Sequence, residues 1–359
     1  MKKIIFLSLL IITSCGSINT DEENKKDDIN VAKGVFITCE GGFNAGNASL
    51  EFYNSKTKVV DRSIFYNAND IPLGDVAYSF HLYDNKAFIV VNNSGKIYVT
   101  DKNKMTYEAT ISDLASPRHI LFANSNKAYI SDLFSPLITI FNPKTLKTIG
   151  SIDLGTNELG VNSSEDMVLV GNDLYVTSWS YNNKVYKIDT TNDKLVDSLE
   201  VGIQPSGMVY DGEDIWVISD GAYYDAPCGN EASRITQIKL DDFSIENQYI
   251  SEDYSLMSKD LIYYEGSLYF GGQSTIDYSC GVYKMPIKGG SSIELPSSAF
   301  IKTDFGYLYG IGIDPKNGDI YLSNPLDFKQ DSEIVRYDST GKILDEFKVG
   351  IAASAFTFN

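Results

Sequence analysis

One short phrase returns along the chain at intervals of about 40 to 50 residues, the spacing of repeat architectures. It consists of a polar turn, an apolar run, a two-residue hairpin turn, and a strand ending in a small polar residue. Residues 117–132 read PRHILFANSNKAYISD and residues 205–220 read PSGMVYDGEDIWVISD. Further copies cover 165–179 (EDMVLVGNDLYVTSW), 77–93, 260–272 and 308–324. Apolar positions alternate with a period near two and are rich in β-branched and aromatic residues, so each copy predicts a pair of antiparallel strands. Two more strand-like runs follow each pair, such as 184–189 and 194–201. Four short strands per unit, repeated about seven times, predict an all-β, seven-bladed β-propeller of four-stranded antiparallel blades.

The two ends of the chain sharpen this expectation. Residues 34–39 (GVFITC) read as the second strand of a unit whose first strand is missing. Residues 349–358 (VGIAASAFTF) match 201–210 (VGIQPSGMVY), a first strand with no second after it. Pairing the N- and C-terminal strands in one blade would close the ring and leave no sheet edge open. An open sandwich or a β-helix is the alternative that these strand spacings disfavour.

Composition agrees with one large all-β domain over 34–359, since about 325 residues suit a single propeller. The chain carries 48 Asp and Glu against 30 Lys and Arg. That balance argues against nucleic acid, which needs a basic footprint, and against a broad polybasic membrane-docking face.

Residues 1–15 read as a leader rather than as fold. Lys2 and Lys3 supply a basic start, Ile4 to Ile12 an apolar stretch, and Thr13, Ser14 and Cys15 a small-residue cleavage site. This is similar to a bacterial lipoprotein signal, in which Cys15 becomes the lipidated first residue; an ordinary secretory peptide is the alternative. Residues 16–33 then form a flexible acidic tether, too hydrophilic to pack a core. Its Asp21, Glu22 and Glu23 resemble the signal that sends Bacteroidota lipoproteins to the outer cell surface. The expected location is therefore the outer membrane, lipid-anchored and facing the exterior.

An exported chain can keep disulfides. Cys228 and Cys280 fall in two unusually long loops of neighbouring blades, each joining second and third strands. A Cys228–Cys280 bridge would hold both loops rigid; two unpaired thiols are the alternative, since spacing alone supplies no distance. Cys39 ends an apolar strand and reads as a buried free thiol.

In a propeller, loops between second and third strands share one face with the links between blades. Here that face collects Phe43, Asn92, Phe134, Trp179, Tyr181, Tyr223, Tyr224, Tyr278 and Phe328, interleaved with Asn, Ser and Asp. The links at 66–74 and 156–164 add to it. Such a surface stacks flat apolar matter and hydrogen-bonds its rim, so these nine residues are the candidate ligand contacts.

Catalytic constellations are scarce. His81 and His119 both lie in strand-like apolar runs and read as structural. No nucleophile elbow, phosphate loop or zinc-spaced Cys/His cluster occurs in the sequence. Asp101, Asp132, Asp189, Asp220 and Asp338 recur with the repeat at strand ends, where Asp caps its own turn. Glu40, Asp132 and Asp220 are the carboxylates that a calcium-dependent lactonase propeller would need in its channel, supported only by repeat position. No metal and no prosthetic group is expected, and the enzyme reading ranks last.

Four segments carry a family resemblance: 36–53 (FITCEGGFNAGNASLEFY), 90–98 (VVNNSGKIY), 116–118 (SPR) and 309–315 (YGIGIDP). Together they resemble Bacteroidota surface propellers of the YncE-like, DUF5074 kind, over essentially the whole of 34–359. Cys39 departs from the asparagine expected before the Glu-Gly pair. Members of this group include BtuG-type lipoproteins, which capture cobalamin and hand it to a TonB-dependent outer-membrane transporter; a related propeller captures ferric siderophores. The resemblance thus implies a corrinoid as transported ligand and such a transporter as partner.

Charge weighs the two ligands. A ferric catecholate is a trianion and calls for several Lys or Arg at its site. The candidate face offers only Lys184, Arg234 and Lys329 at its margins and Arg118 at a strand start. Cobalamin, close to neutral and ringed by amides, suits aromatic, Asn and Asp groups better. A protein-binding or adhesion scaffold is the reading from another class.

Overall fold

The computed structural model describes residues 34–157, 159–252, 254–274, 277–288 and 293–359. The expected leader with Cys15 and the tether 16–33 lie outside the described residues.

Seven four-stranded antiparallel sheets follow one another around a central channel. Their innermost strands are Ala77–Tyr83, Pro117–Asn124, Met167–Val170, Pro205–Tyr210, Tyr254–Tyr264, Gly310–Ile313 and Ala353–Phe358. Blade 1 takes its inner strand from the end of the chain. Ala353–Phe358 pairs with Gly34–Cys39, which pairs with Ser49–Asn54 and then Val59–Asp61. The terminal strands therefore share one blade, as the two incomplete repeats predict. Blades 2 to 7 follow in chain order.

Burial explains why the second strands read as nearly unbroken apolar runs. Each is sandwiched by neighbouring blades on both sides: Ile215–Ser219 is buried throughout, and in Lys86–Val91 and Asp173–Ser178 only the first residue is not. Outer strands such as Lys147–Asp153 and Lys194–Glu200 face solvent and carry charge instead. Among the described residues, seven apolar clusters fill the seven gaps between adjacent blades. The cluster of Val35, Ile37 and Tyr53 with Tyr321 and Ile334 seals the gap between blades 7 and 1.

Inner strands converge towards the axis, and small residues make that possible. A Cβ at Gly312 would lie 2.5 Å from Phe356 Cβ, so no side chain fits there. The turn chemistry follows the sequence. Glu265 (φ 44°) and Gly266 (φ 76°) form a hairpin turn with both central residues left-handed, the twist that antiparallel neighbours favour. The recurrent strand-end acids cap their own turns: Asp101 Oδ1 accepts from the backbone N–H of Asn103 and Lys104 at 2.9 and 2.8 Å. Asp338 Oδ1 does the same for Thr340 and Lys342 at 2.9 and 3.0 Å.

Three elements depart from the repeat. The link between blades 1 and 2 holds a short helix, Ile64–Asn69, anchored by buried Ile64 and Phe65. A two-rung hairpin, Thr156–Asn157 with Gly160–Val161, stands on the link into blade 4. The outer strand of blade 6 is only Ile301–Lys302.

Candidate functional site

The loops from second to third strands, together with the links between blades, form one end of the ring. Phe43, Phe134, Tyr181, Tyr223, Tyr224, Tyr278 and Phe328 are all exposed there, with Phe43, Tyr224 and Tyr278 at 74%, 80% and 72%. Six of the seven blades thus contribute an exposed ring to this end. Tyr181 and Tyr223 approach across the gap between blades 4 and 5, their hydroxyls 3.5 Å apart. Phe328 packs edge-on to Tyr309 with ring centroids 5.0 Å apart, and Tyr307 lies 6.0 Å from Phe328.

Two expectations need correction. Asn92 is buried, and its Nδ2 donates to Ser116 Oγ at 2.8 Å and Pro117 O at 3.0 Å. It ties blade 2 to blade 3 and is not a surface contact. The Cys228–Cys280 bridge is not formed; Cys39, Cys228 and Cys280 are all free thiols. Cys280 opens a third strand and turns into the core against Val282, Phe305 and Leu308. Cys228 stays in its loop, donating to Gly229 O at 3.4 Å. Facing core and surface respectively, the two sulfurs do not meet. Cys39 is the buried free thiol its strand predicts.

Trp179 is half-buried and belongs to a polar cluster at the channel mouth. Its Nε1 donates to Asp220 Oδ2 at 3.0 Å, and its ring lies 5.9 Å from the Arg118 guanidinium carbon. Arg118 stacks on Tyr78 at 3.6 Å. Its Nε donates to Glu165 Oε1 and Oε2 at 3.0 and 2.8 Å, while Tyr78 Oη donates to Glu165 Oε1 at 2.6 Å. On the opposite wall, Tyr309 Oη donates to Glu40 Oε2 at 2.7 Å. Burial works to lower the Arg118 pKa, but the negative charges of Glu165 and Glu40 and the hydrogen bond to Glu165 outweigh it and hold the guanidinium firmly protonated. Burial likewise pushes the Tyr78 and Tyr309 phenols up, so both stay neutral donors.

Arg118, Glu165, Tyr78, Tyr307 and Tyr309 were absent from the candidate contacts read from the sequence. The signal was present, because Tyr78 and Arg118 occupy the same early position in successive inner strands. That position aims at the axis.

Several of the basic groups near this face are matched by carboxylates, while Lys184 and Lys329 at its margins carry no such pair among the described residues. Arg62 Nη1 meets Asp331 at 2.9 Å, Lys302 meets Asp277 at 3.1 Å, and Arg234 pairs with Glu231. Asp132 is spent on backbone, accepting from Ala115, Ser116, Phe134 and Ser135 at 2.9 to 3.0 Å. Asp220 caps its loop through Ala222 N at 2.8 Å. Both serve as turn formers.

At the other end of the channel lies a cavity of about 490 Å³, lined by His81, His119, Tyr263, Phe356 and Thr357 among others. His81 Nε2 accepts from Ile120 N at 3.2 Å, and burial depresses its pKa to about 3. It serves as a neutral backbone acceptor.

A family described as "Domain of unknown function (DUF5074)" matches residues 33–350, and the chain belongs to it. A curated relative, antigen Lp49 of Leptospira interrogans, is 32% identical over 139 residues, covering 34% of this chain and 29% of its own length. The chain thus spans less than a third of that relative. Among solved structures, a quinonprotein alcohol dehydrogenase-like protein from Bacteroides thetaiotaomicron superposes with a TM-score of 0.69 at 16% identity, covering 93% of this chain and 79% of its own. A hypothetical selenium-binding protein from Sulfolobus tokodaii gives 0.63 at 12% identity, covering 90% and 93%. At these identities the likeness is one of fold.

Proposed function

For this DUF5074 propeller we propose ligand capture at the loop face: a corrinoid binds across the channel mouth and passes to a TonB-dependent outer-membrane transporter. The observation that carries this reading is the convergence of exposed aromatic rings from six blades on one end of the ring. A soluble surface seldom spends so much apolar area without a partner. Rings of this kind stack on a broad planar ligand, and the Asn, Ser and Asp around them hydrogen-bond a rim of amides.

Charge supports the corrinoid over a ferric siderophore. Arg62, Arg118, Arg234 and Lys302 are already matched by carboxylates, so among the described residues a trianion is left mainly with Lys184 and Lys329 at the margins of the face. The same pairing costs a near-neutral macrocycle nothing.

The protein acts in this reading as a carrier without catalysis, anchored through a lipid on Cys15 and displayed on the cell exterior. Absorbance titration of the purified protein with cyanocobalamin tests the capture step. Binding at or below about 10 μM supports it. Absence of binding turns the aromatic face into a protein-docking surface, the second reading that exposed rings of this breadth support.

A further inference from the structure

The loop-face cluster holds a guanidinium that the fold has oriented but not used up. Arg118 is fixed on two sides: Nε is held by both oxygens of Glu165, at 3.0 and 2.8 Å, and one face lies on Tyr78 at 3.6 Å. Glu165 is itself fixed by the Tyr78 hydroxyl at 2.6 Å. Only 11% of the Arg118 side chain is exposed, against 3% for Glu165. Yet among the described residues neither terminal amino group of Arg118 donates a hydrogen bond; only Nε does. A largely buried guanidinium normally satisfies its donors, because leaving them unpaired forfeits hydration. Here the four terminal N–H donors are not among the buried atoms left without a partner; they keep access to solvent at the channel mouth, beside the ring of Trp179 at 5.9 Å, where a ligand oxygen can replace that water.

The geometry points to Arg118 as the polar anchor of the capture site, receiving a carbonyl or carboxylate oxygen of the ligand on its terminal amino groups. This rests on the capture reading above and names the ligand group that enters the channel mouth. The anchor is preorganised. Glu165 and Tyr78 hold the guanidinium plane, so binding costs little side-chain ordering. Lysine at this position would keep the charge but lose the planar fork. Trp179, locked by its bond to Asp220 at 3.0 Å, offers the adjacent apolar wall. A ligand that lays its ring on the exposed aromatics and directs one amide or acid group down the axis satisfies both halves of the site.

The test uses the mature protein and its Arg118→Lys variant. Calorimetric titration with cyanocobalamin is paired with ¹H–¹⁵N spectra of the wild type carrying ¹⁵N-arginine, to which benzamide and benzoate are added separately. Four arginines in the chain keep those spectra simple. The expected result is a loss of about ten- to hundredfold in cyanocobalamin affinity for the variant, the range for hydrogen bonds to a charged donor, with the Arg118 signal moving on ligand addition. A shift with benzamide alone marks an amide as the preferred group, and a shift with benzoate alone marks an acid. If cyanocobalamin binds both proteins equally, or the Arg118 signal stays still while it binds, the anchor is overturned and capture stands. If cyanocobalamin does not bind the wild type, capture of a corrinoid falls. An Arg118 signal that still moves with benzamide or benzoate then upholds the anchor, and one that does not overturns it. Should the variant fail to fold, the wild-type spectra decide alone.

Discussion

Val35 stands directly opposite Phe358, so the first strand of the described chain is paired with the last. Each needs the other. Gly34–Cys39 has an outer neighbour in Ser49–Asn54, but its inner edge is covered only by Ala353–Phe358. The same closing strand packs Phe356 and Phe358 against Tyr321 of blade 7, at centroid distances of 5.9 and 5.6 Å. Ring closure is thus a single event that joins both ends and the last inter-blade core.

Deleting residues 352–359 is expected to remove that strand and open an edge. The buried area lost amounts to several side chains, on the order of 5 kcal/mol or more. Thermal unfolding should lose its cooperativity or shift down by many degrees. A melting curve unchanged by the deletion would show that closure contributes nothing to stability.

Anchoring has its own test. Cys15→Ser is expected to release the protein from the membrane fraction or leave it as precursor, because a single acylated cysteine is the only apolar anchor the reading supplies. Retention in the membrane fraction would contradict a lipid anchor at Cys15.

The repeat made the fold legible because each blade buries its second strand on both faces, which imposes the same apolar run in every copy. Ile215–Ser219 and Ile320–Asn324 carry that imprint alike. Exposed loop rings were also legible, since position in the repeat assigns the end of the ring. What pattern could not convey was orientation. Cys228 sits in its loop while Cys280 opens the third strand, and of the two only the Cys280 thiol turns into the core. Asn92 likewise turns inward to Ser116 and Pro117. The Arg118–Glu165–Tyr78 cluster joins residues up to 87 positions apart, which no local period reveals.

Two buried groups set opposing pH dependences. Burial raises the Asp166 carboxyl to about 7, so its contribution to stability is present below the unfolded value near 3.8 and is lost as pH rises towards 7. Burial depresses His81 to about 3, so its contribution is present above 6.5 and is lost as pH falls towards 3. Between about pH 4 and 6.5 the two slopes oppose each other. His81→Asn should leave stability falling with pH across that window, and Asp166→Asn should leave it rising. Chemical denaturation at several pH values measures both slopes; parallel profiles for the two variants would refute the assignment.

The three thiols should differ in reactivity. Cys228 is partly exposed, although burial and nearby Asp220 raise its pKa and slow its attack on a disulfide reagent near neutrality. Cys39 and Cys280 are buried and should react only on unfolding. Native protein is expected to release about one equivalent of thionitrobenzoate and denatured mature protein about three, with a lipidated Cys15 contributing none. Cys228→Ser should leave the melting temperature unchanged. Zero native equivalents with a lowered melting point for this variant would restore the disulfide.

The aromatic face makes the most demanding prediction. Trp179 borders the Arg118 guanidinium at 5.9 Å, and Tyr224 is 80% exposed on the neighbouring blade's long loop. Replacing both with alanine removes one wall of the channel mouth and one ring of the outer rim. Tyr224 supports nothing in the core, and Trp179 gives up one hydrogen bond to Asp220. The fold should therefore persist, as circular dichroism and the melting curve will report. Binding of cyanocobalamin should weaken by roughly 2 to 5 kcal/mol, the range for paired aromatic anchors. Cobinamide, which lacks the nucleotide loop, should suffer the same loss if the corrin plane is what the rings stack upon. A ferric catecholate should bind the wild type more weakly than either, because Arg62, Arg118, Arg234 and Lys302 are already matched by carboxylates. Equal affinity of wild type and double variant for cyanocobalamin would remove the aromatic face from the binding site.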